Sequence, residues 1–272
     1  MGHRFRTLVG ASAGLTFLLV LLGVYTAAAG AGLTCNARWP LCDGAVFGLF
    51  PANWASFVEW FHRLVAMVTG FVILGTTISA WRSGVERRVR YALALATLVL
   101  PSQIVLGALT VTRYELLILT AHFVTAMAIF TGVVLAALWT FDGGRDRAGR
   151  AALAAVVALP VVAALTPRLL VDYVPAAQVA YYAVGLAGYA ALLGTTTWAD
   201  DATPALARGA TTLAAAILFV LLVVGRQVFG DRGQLLVLAG TVFAFTLAGV
   251  ALWLTSRAAS VDAPSGGLPG GD

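Results

Sequence analysis

SFVEWFHRLVAMVTG, residues 56–70, decides how the rest of the chain is read. Glu59, His62 and Arg63 crowd into about one helical turn, and an apolar run follows them as far as Trp81. At ~1.5 Å per residue such a run crosses a ~30 Å hydrocarbon layer as a helix. Ionisable side chains in such a helix are costly against acyl chains, which makes them candidates for a functional site.

The rest of the chain has the same character. Of 272 residues, 60% are hydrophobic and 11% charged, with a mean hydropathy of +0.92; a water-soluble domain carries about 25% charged residues. Apolar runs predict eight spans, at 8–30, 55–80, 91–111, 116–140, 151–167, 177–198, 209–228 and 234–256. Barrel strands would alternate polar and apolar residues over about ten positions, and none of these runs does. The fold class expected is an all-α polytopic membrane protein with eight transmembrane helices. The first run follows His3, Arg4 and Arg6 and precedes the small residues AAAGAG, as an export signal would, but its length favours a span. The tail from 261 to 272, rich in Gly and Pro, reads as disordered.

All 17 basic residues are arginine. Eleven of them, Arg4, Arg6, Arg82, Arg87, Arg88, Arg90, Arg145, Arg147, Arg150, Arg208 and Arg257, fall on one side of the predicted spans. Arginine-rich loops mark the cytoplasm, so both termini are expected inside a cell membrane. Arg38, Arg63, Arg113, Arg168, Arg226 and Arg232 lie in the opposite loops or just inside a helix. The pI near 9.7 reflects this asymmetry, not a nucleic-acid surface. With no lysine, neither a retinal nor a pyridoxal Schiff base can form.

The longest predicted external loop, GAGLTCNARWPLCDGAVFGLFPANW, contains Cys35 and Cys42. An exported pair tends to oxidise, so a disulfide that shapes the loop or exchanges with a redox partner stands beside a reading as two idle thiols. Trp39 and Trp54 read as interface anchors.

His62 lies ~10 Å below the outer end of its helix, and Glu59 sits one turn above it on nearly the same face. His122, in ELLILTAHFVTAMAIF, lies ~9 Å below the same face. Two imidazoles at equal depth on separate spans suit the axial ligation of one haem iron. The competing reading is a Glu59–Arg63 ion pair with histidines that bond neighbouring helices. Arg63 and Arg113 stand where haem propionates would need cations; Thr120, Thr125 and Gln103 receive no role, since helical threonine usually bonds its own backbone.

The chain also repeats itself. An offset of 119 aligns Leu74-Gly-Thr-Thr77 with Leu193-Gly-Thr-Thr196, and Glu115-Leu-Leu-Ile-Leu with Gln234-Leu-Leu-Val-Leu. Two tandem four-helix bundles are expected, over 1–147 and 148–260. At that offset Glu59 falls on Gln178, His62 on Tyr181, Arg63 on Tyr182 and His122 on Thr241. One haem site is therefore expected, in the first bundle, with a tyrosinate ligand at Tyr181 left open.

At GAGLTCNARWPLC, Glu59-Trp-Phe-His62-Arg63, LGALTV (106–111) and AHF (121–123) the chain resembles the haem A synthase family. The resemblance is specific over 25–130. It implies an eight-helix pseudo-two-fold fold and oxidation of the C8 methyl of haem O to the formyl of haem A, for terminal oxidases. It also implies Glu59 as catalytic carboxylate, His62 and His122 as haem ligands, and a Cys35–Cys42 disulfide. Usual members carry two further histidines in the second half that bind a haem b, and this chain lacks them. Expected partners are haem O, haem O synthase, an electron acceptor or quinone, and membrane lipid; a homo-oligomer stays open. A membrane b-type cytochrome that relays electrons without modifying haem is the alternative, though it would need neither Glu59 nor the cysteine loop. A transporter would instead place its site at the midplane between the halves.

Overall fold

Each predicted span corresponds to one long helix: α1 (His3–Ala28), α2 (Trp54–Arg82), α3 (Arg87–Thr112), α4 (Leu116–Thr140), α5 (Gly144–Ala164), α6 (Pro175–Thr197), α7 (Ala205–Val224) and α8 (Asp231–Val261). The computed structural model describes residues 2–35, 38–40, 42, 53–113, 115–141, 143–166, 171–172, 174–225 and 231–261. Arg168, Arg226 and the predicted tail beyond 261 lie outside these. All eight helices are long and apolar enough to cross a membrane, and large apolar side chains such as Leu18, Phe71, Leu98, Leu117, Val157, Leu206 and Leu236 face outward. The protein is a multi-pass membrane protein.

Several helices begin earlier than predicted, because arginine-bearing turns continue them past the apolar run: α1 starts at His3, α3 at Arg87, α5 at Gly144 and α7 at Ala205. Arginine stems can lie along apolar surface while the guanidinium reaches water. Arg6 lies over Phe141 (5.3 Å), Arg88 over Trp139 (5.5 Å) and Arg90 over Trp81 (5.1 Å), all at one face of the bundle. The opposite face carries the cysteine loop. There α1 ends at Ala28, and Gly30, whose φ of 67° favours a residue without a Cβ, starts a short 3₁₀ turn (Ala31–Leu33) into the loop.

The first four helices form a ring in which α1 packs on α2, α2 on α3, α3 on α4, and α4 back on α1. Helices α5 to α8 repeat this arrangement, with α8 closing on α5. The rings meet where α6 packs on α1 and α4. Within the first ring α2 and α4 stand on a diagonal, with at most marginal mutual contact. Small residues bring neighbours close: a Cβ on Gly132 of α4 would come 3.1 Å from the Ala92 carbonyl oxygen of α3.

Two main clusters supply the apolar filling. The buried cluster of the first ring, Phe5, Val9, Ile73, Ala80, Val89, Leu93, Ile129, Val133 and Ala137 among others, occupies the middle and the end away from the cysteine loop. The other main cluster joins the rings: Tyr181, Tyr182, Leu186, Leu218 and Leu222 of the second are in one buried cluster with Val20, Val24, Phe123, Met127 and Phe130 of α1 and α4.

Candidate functional site

His62 of α2 and His122 of α4 project from the diagonal pair, and they lie ~12 Å and ~9 Å below the loop-side starts of their helices. A glycine on a neighbouring helix backs each ring. A Cβ on Gly23 of α1 would come 3.1 Å from His62 Cε1, and one on Gly107 of α3 would come 3.3 Å from His122 Cε1. Such approaches are tighter than most Cβ atoms make, so the Cε1 edge of each ring lies close to a neighbouring backbone. His62 lies within electrostatic range of both His122 and Arg63. His62 Nδ1 is enclosed and has no hydrogen-bond partner among the described residues, and His122 Nδ1 is likewise shielded from solvent. Neither Gly23 nor the backing role of Gly107 was foreseen from sequence; the sole signal was a glycine at matching depth.

Glu59 and Arg63, one turn apart on α2, form an ion pair in which Arg63 Nε donates to Glu59 Oε1 at 2.8 Å. Their side chains are 7% and 15% exposed, so this is a nearly enclosed pair. Removing one partner of a buried pair typically costs about 3–5 kcal/mol, because the other charge is stranded. Glu59 Oε2 faces the start of the cysteine loop, 3.7 Å from where a Cβ on Gly32 would lie. Arg63 Nη1 also donates to the carbonyls of Arg38 (3.2 Å) and Pro40 (3.1 Å). Cys35 and Cys42 are joined by a disulfide and fully buried. Sequence reasoning brought Glu59, Arg63 and the cysteines to one end of the bundle, but it missed the two loop carbonyls.

Of the remaining candidates, Arg113 caps the end of α3 and is exposed. Thr120 donates to its own helix at Leu116 O (2.7 Å). Thr125 bonds Gln103 across the α3–α4 seam and also reaches the carbonyls of Ala121 (2.9 Å) and His122 (3.0 Å). Trp54 is exposed at the loop end of α2 and stacks on Phe57.

The residues fit a haem on their own terms. The imidazoles stand on diagonal helices, each with its Cε1 edge against a glycine of a neighbouring helix, and His62 Nδ1 has no partner among the described residues. Among the described residues no group of three or more His, Cys, Asp or Glu could hold a bare metal ion. The second ring lacks this fit. Tyr181 and Tyr182 are 1% and 2% exposed and pack edge to face at 5.2 Å, and Tyr182 Oη donates to Leu222 O at 2.8 Å. Gln178 and Thr241 are buried as well.

The family model COX15-CtaA, described as cytochrome oxidase assembly protein, matches residues 6–261. The chain belongs to this family. This COX15-CtaA member is 33% identical over 133 residues to heme A synthase of Bacillus pumilus, a match covering 47% of this chain and 43% of that protein. It is 35% identical over 132 residues to heme A synthase of Alkalihalophilus pseudofirmus, covering 47% and 44%. It is also 36% identical over 140 residues to protoheme IX farnesyltransferase of Halobacterium salinarum, covering 51% and 30%. The COX15-CtaA chain thus spans less than half the length of these curated relatives.

Proposed function

We propose that this protein oxidises the C8 methyl of haem O to the formyl group of haem A, with haem O held between His62 and His122 in the first four-helix unit (1–147). The observation that carries the reading is the pair of glycine-backed imidazoles on diagonal helices, beside an enclosed carboxylate. Relatives named heme A synthase support it. A relative named protoheme IX farnesyltransferase supports a place next to the farnesylation of protohaem, with the enzyme of that step as a partner.

When bound, haem would supply an iron and a conjugated ring through which the four electrons of the oxidation leave the methyl carbon toward an acceptor such as a quinone, with water supplying the formyl oxygen and four protons released in all. The chain's own residues then have separable tasks. His62 and His122 hold the ring in register as neutral imidazoles. Glu59, one turn above His62, takes the proton that the methyl carbon loses, and Arg63 orients its carboxylate. Arg63 and Arg113 are the cations proposed for the propionates, and lipid-facing helices accommodate the farnesyl tail. The second unit (148–260) serves as an apolar buttress without a haem. Both termini are assigned to the cytoplasmic side of the cell membrane and the disulfide loop to the outside, following the arginine distribution.

The test is co-expression with a haem O synthase, followed by acid extraction and chromatography of the haems. Haem A is expected with the wild-type chain, and haem O in its place with Glu59→Ala. Wild-type membranes that contain only unmodified haem b or haem O would overturn the reading in favour of an electron-relaying b-type cytochrome.

A further inference from the structure

We propose that Arg63 is a positioning residue that fastens the disulfide-closed loop to Glu59, so that the closed loop sets where the Glu59 carboxylate points. One guanidinium spans both: Nε donates to Glu59 Oε1 at 2.8 Å, and Nη1 donates to the carbonyls of Arg38 and Pro40 at 3.2 and 3.1 Å. Both carbonyls belong to the ring that the Cys35–Cys42 bond closes.

A guanidinium presents its N–H groups in a rigid planar fork, so a carboxylate and two carbonyls on that fork are fixed relative to each other. A lysine ammonium at the end of a flexible stem would supply charge without that plane. The stem of the loop completes the enclosure. Glu59 Oε2 faces Gly32 at 3.7 Å from a notional Cβ, Ser56 Oγ donates to Thr34 O at 3.5 Å, and Cys42 Sγ lies 3.4 Å from Ser56 O. The carboxylate is thus held between Arg63 and the loop stem, and the tie works in both directions. Freeing the loop frees the carboxylate, and cutting the tie at Arg63 loosens the loop around two cysteines that are otherwise fully buried.

The consequence for turnover rests on Glu59 acting in the proposed oxidation, but the tie can be read without it. The full chain, purified in detergent, is treated with tris(2-carboxyethyl)phosphine, and the freed thiols are counted by alkylation and mass spectrometry over time. Arg63→Gln is expected to speed reduction of the disulfide about tenfold through greater access, with Arg63→Lys intermediate. Glu59→Gln, which cuts the same tie from the other end, is expected to move the rate in the same direction, and it serves if Arg63→Gln does not fold. Equal reduction rates in the wild type and both Gln variants would overturn the proposal. In the turnover arm, Arg63→Lys, which keeps the charge proposed for a propionate but not the planar fork, is expected to convert haem O with a moved pH profile; the reduced wild type should move the same way. An unmoved pH profile in an active Arg63→Lys chain would also overturn it. A wild type that makes no haem A defeats the proposed function, and the reduction rates still decide the tie.

Discussion

A histidine serves as an iron ligand only when its ring is held, and at the proposed ligands His62 and His122 a missing side chain provides the hold. Gly23 and Gly107 let each imidazole lie against a neighbouring backbone, at 3.1 and 3.3 Å from where a Cβ would sit. Gly23→Val and Gly107→Val are each expected to weaken haem binding by roughly 10–100-fold, the usual cost of disturbing the groups that orient a ligand. Titrating haem into the purified variants measures this, and unchanged affinity with native helix content would show that the glycines do not set the rings. That both histidines lie near one end of the bundle was legible in the sequence, because depth along a helix follows from residue count; their role as ligands is the proposal. The glycines were not, because a sequence does not say which helix stands behind a given ring. The clasp of Arg63 on the Arg38 and Pro40 carbonyls was hidden for a similar reason, since backbone oxygens leave no mark in residue identity.

At the scale of the helix, the seam between α3 and α4 carries the second histidine and its glycine, so its closeness matters to the site. Gly132 lies where a Cβ would come 3.1 Å from Ala92 O and 3.3 Å from Ala96 Cβ. Gly132→Leu is expected to push the seam apart and cost about 1–3 kcal/mol, as overpacking does. Thermal unfolding of the detergent-solubilised protein, followed by circular dichroism, reads this as a lowered Tm; an unchanged Tm would mean the seam tolerates a wider spacing. The existence and order of all eight helices were legible, since a lipid-facing helix must be apolar over its whole crossing. Their arginine-bearing ends were not. A hydropathy window stops where charge begins, whereas the backbone continues its hydrogen bonds through Arg87–Arg90 and Arg145–Arg150 into the interfacial zone.

Across the whole molecule, one ring plan is used twice with different contents. The 119-residue offset seen in sequence aligns α2, α3 and α4 with α6, α7 and α8. It fails for the first helix of each unit, because the connection between α1 and α2 spans 29–53 while that between α5 and α6 spans only 165–174. The difference is the cysteine loop, and this unequal connection explains why the repeat looked partial in the sequence; the helix packing is compatible with a tandem of four-helix units. In the second unit Tyr181 aligns with His62, the proposed ligand, and its hydroxyl is buried with no hydrogen-bond partner among the described residues. An unpaired buried hydroxyl costs about 1–3 kcal/mol. Tyr181→Phe is therefore expected to leave haem content unchanged and Tm equal or higher; a loss of haem would instead point to tyrosinate ligation. The most direct measurement is low-temperature electron paramagnetic resonance of the oxidised, purified chain, with haem and protein quantified on the same sample. One low-spin bis-imidazole haem per chain is expected, present in the wild type and absent from both His62→Ala and His122→Ala. The same signal surviving in either histidine variant would contradict a haem held between α2 and α4.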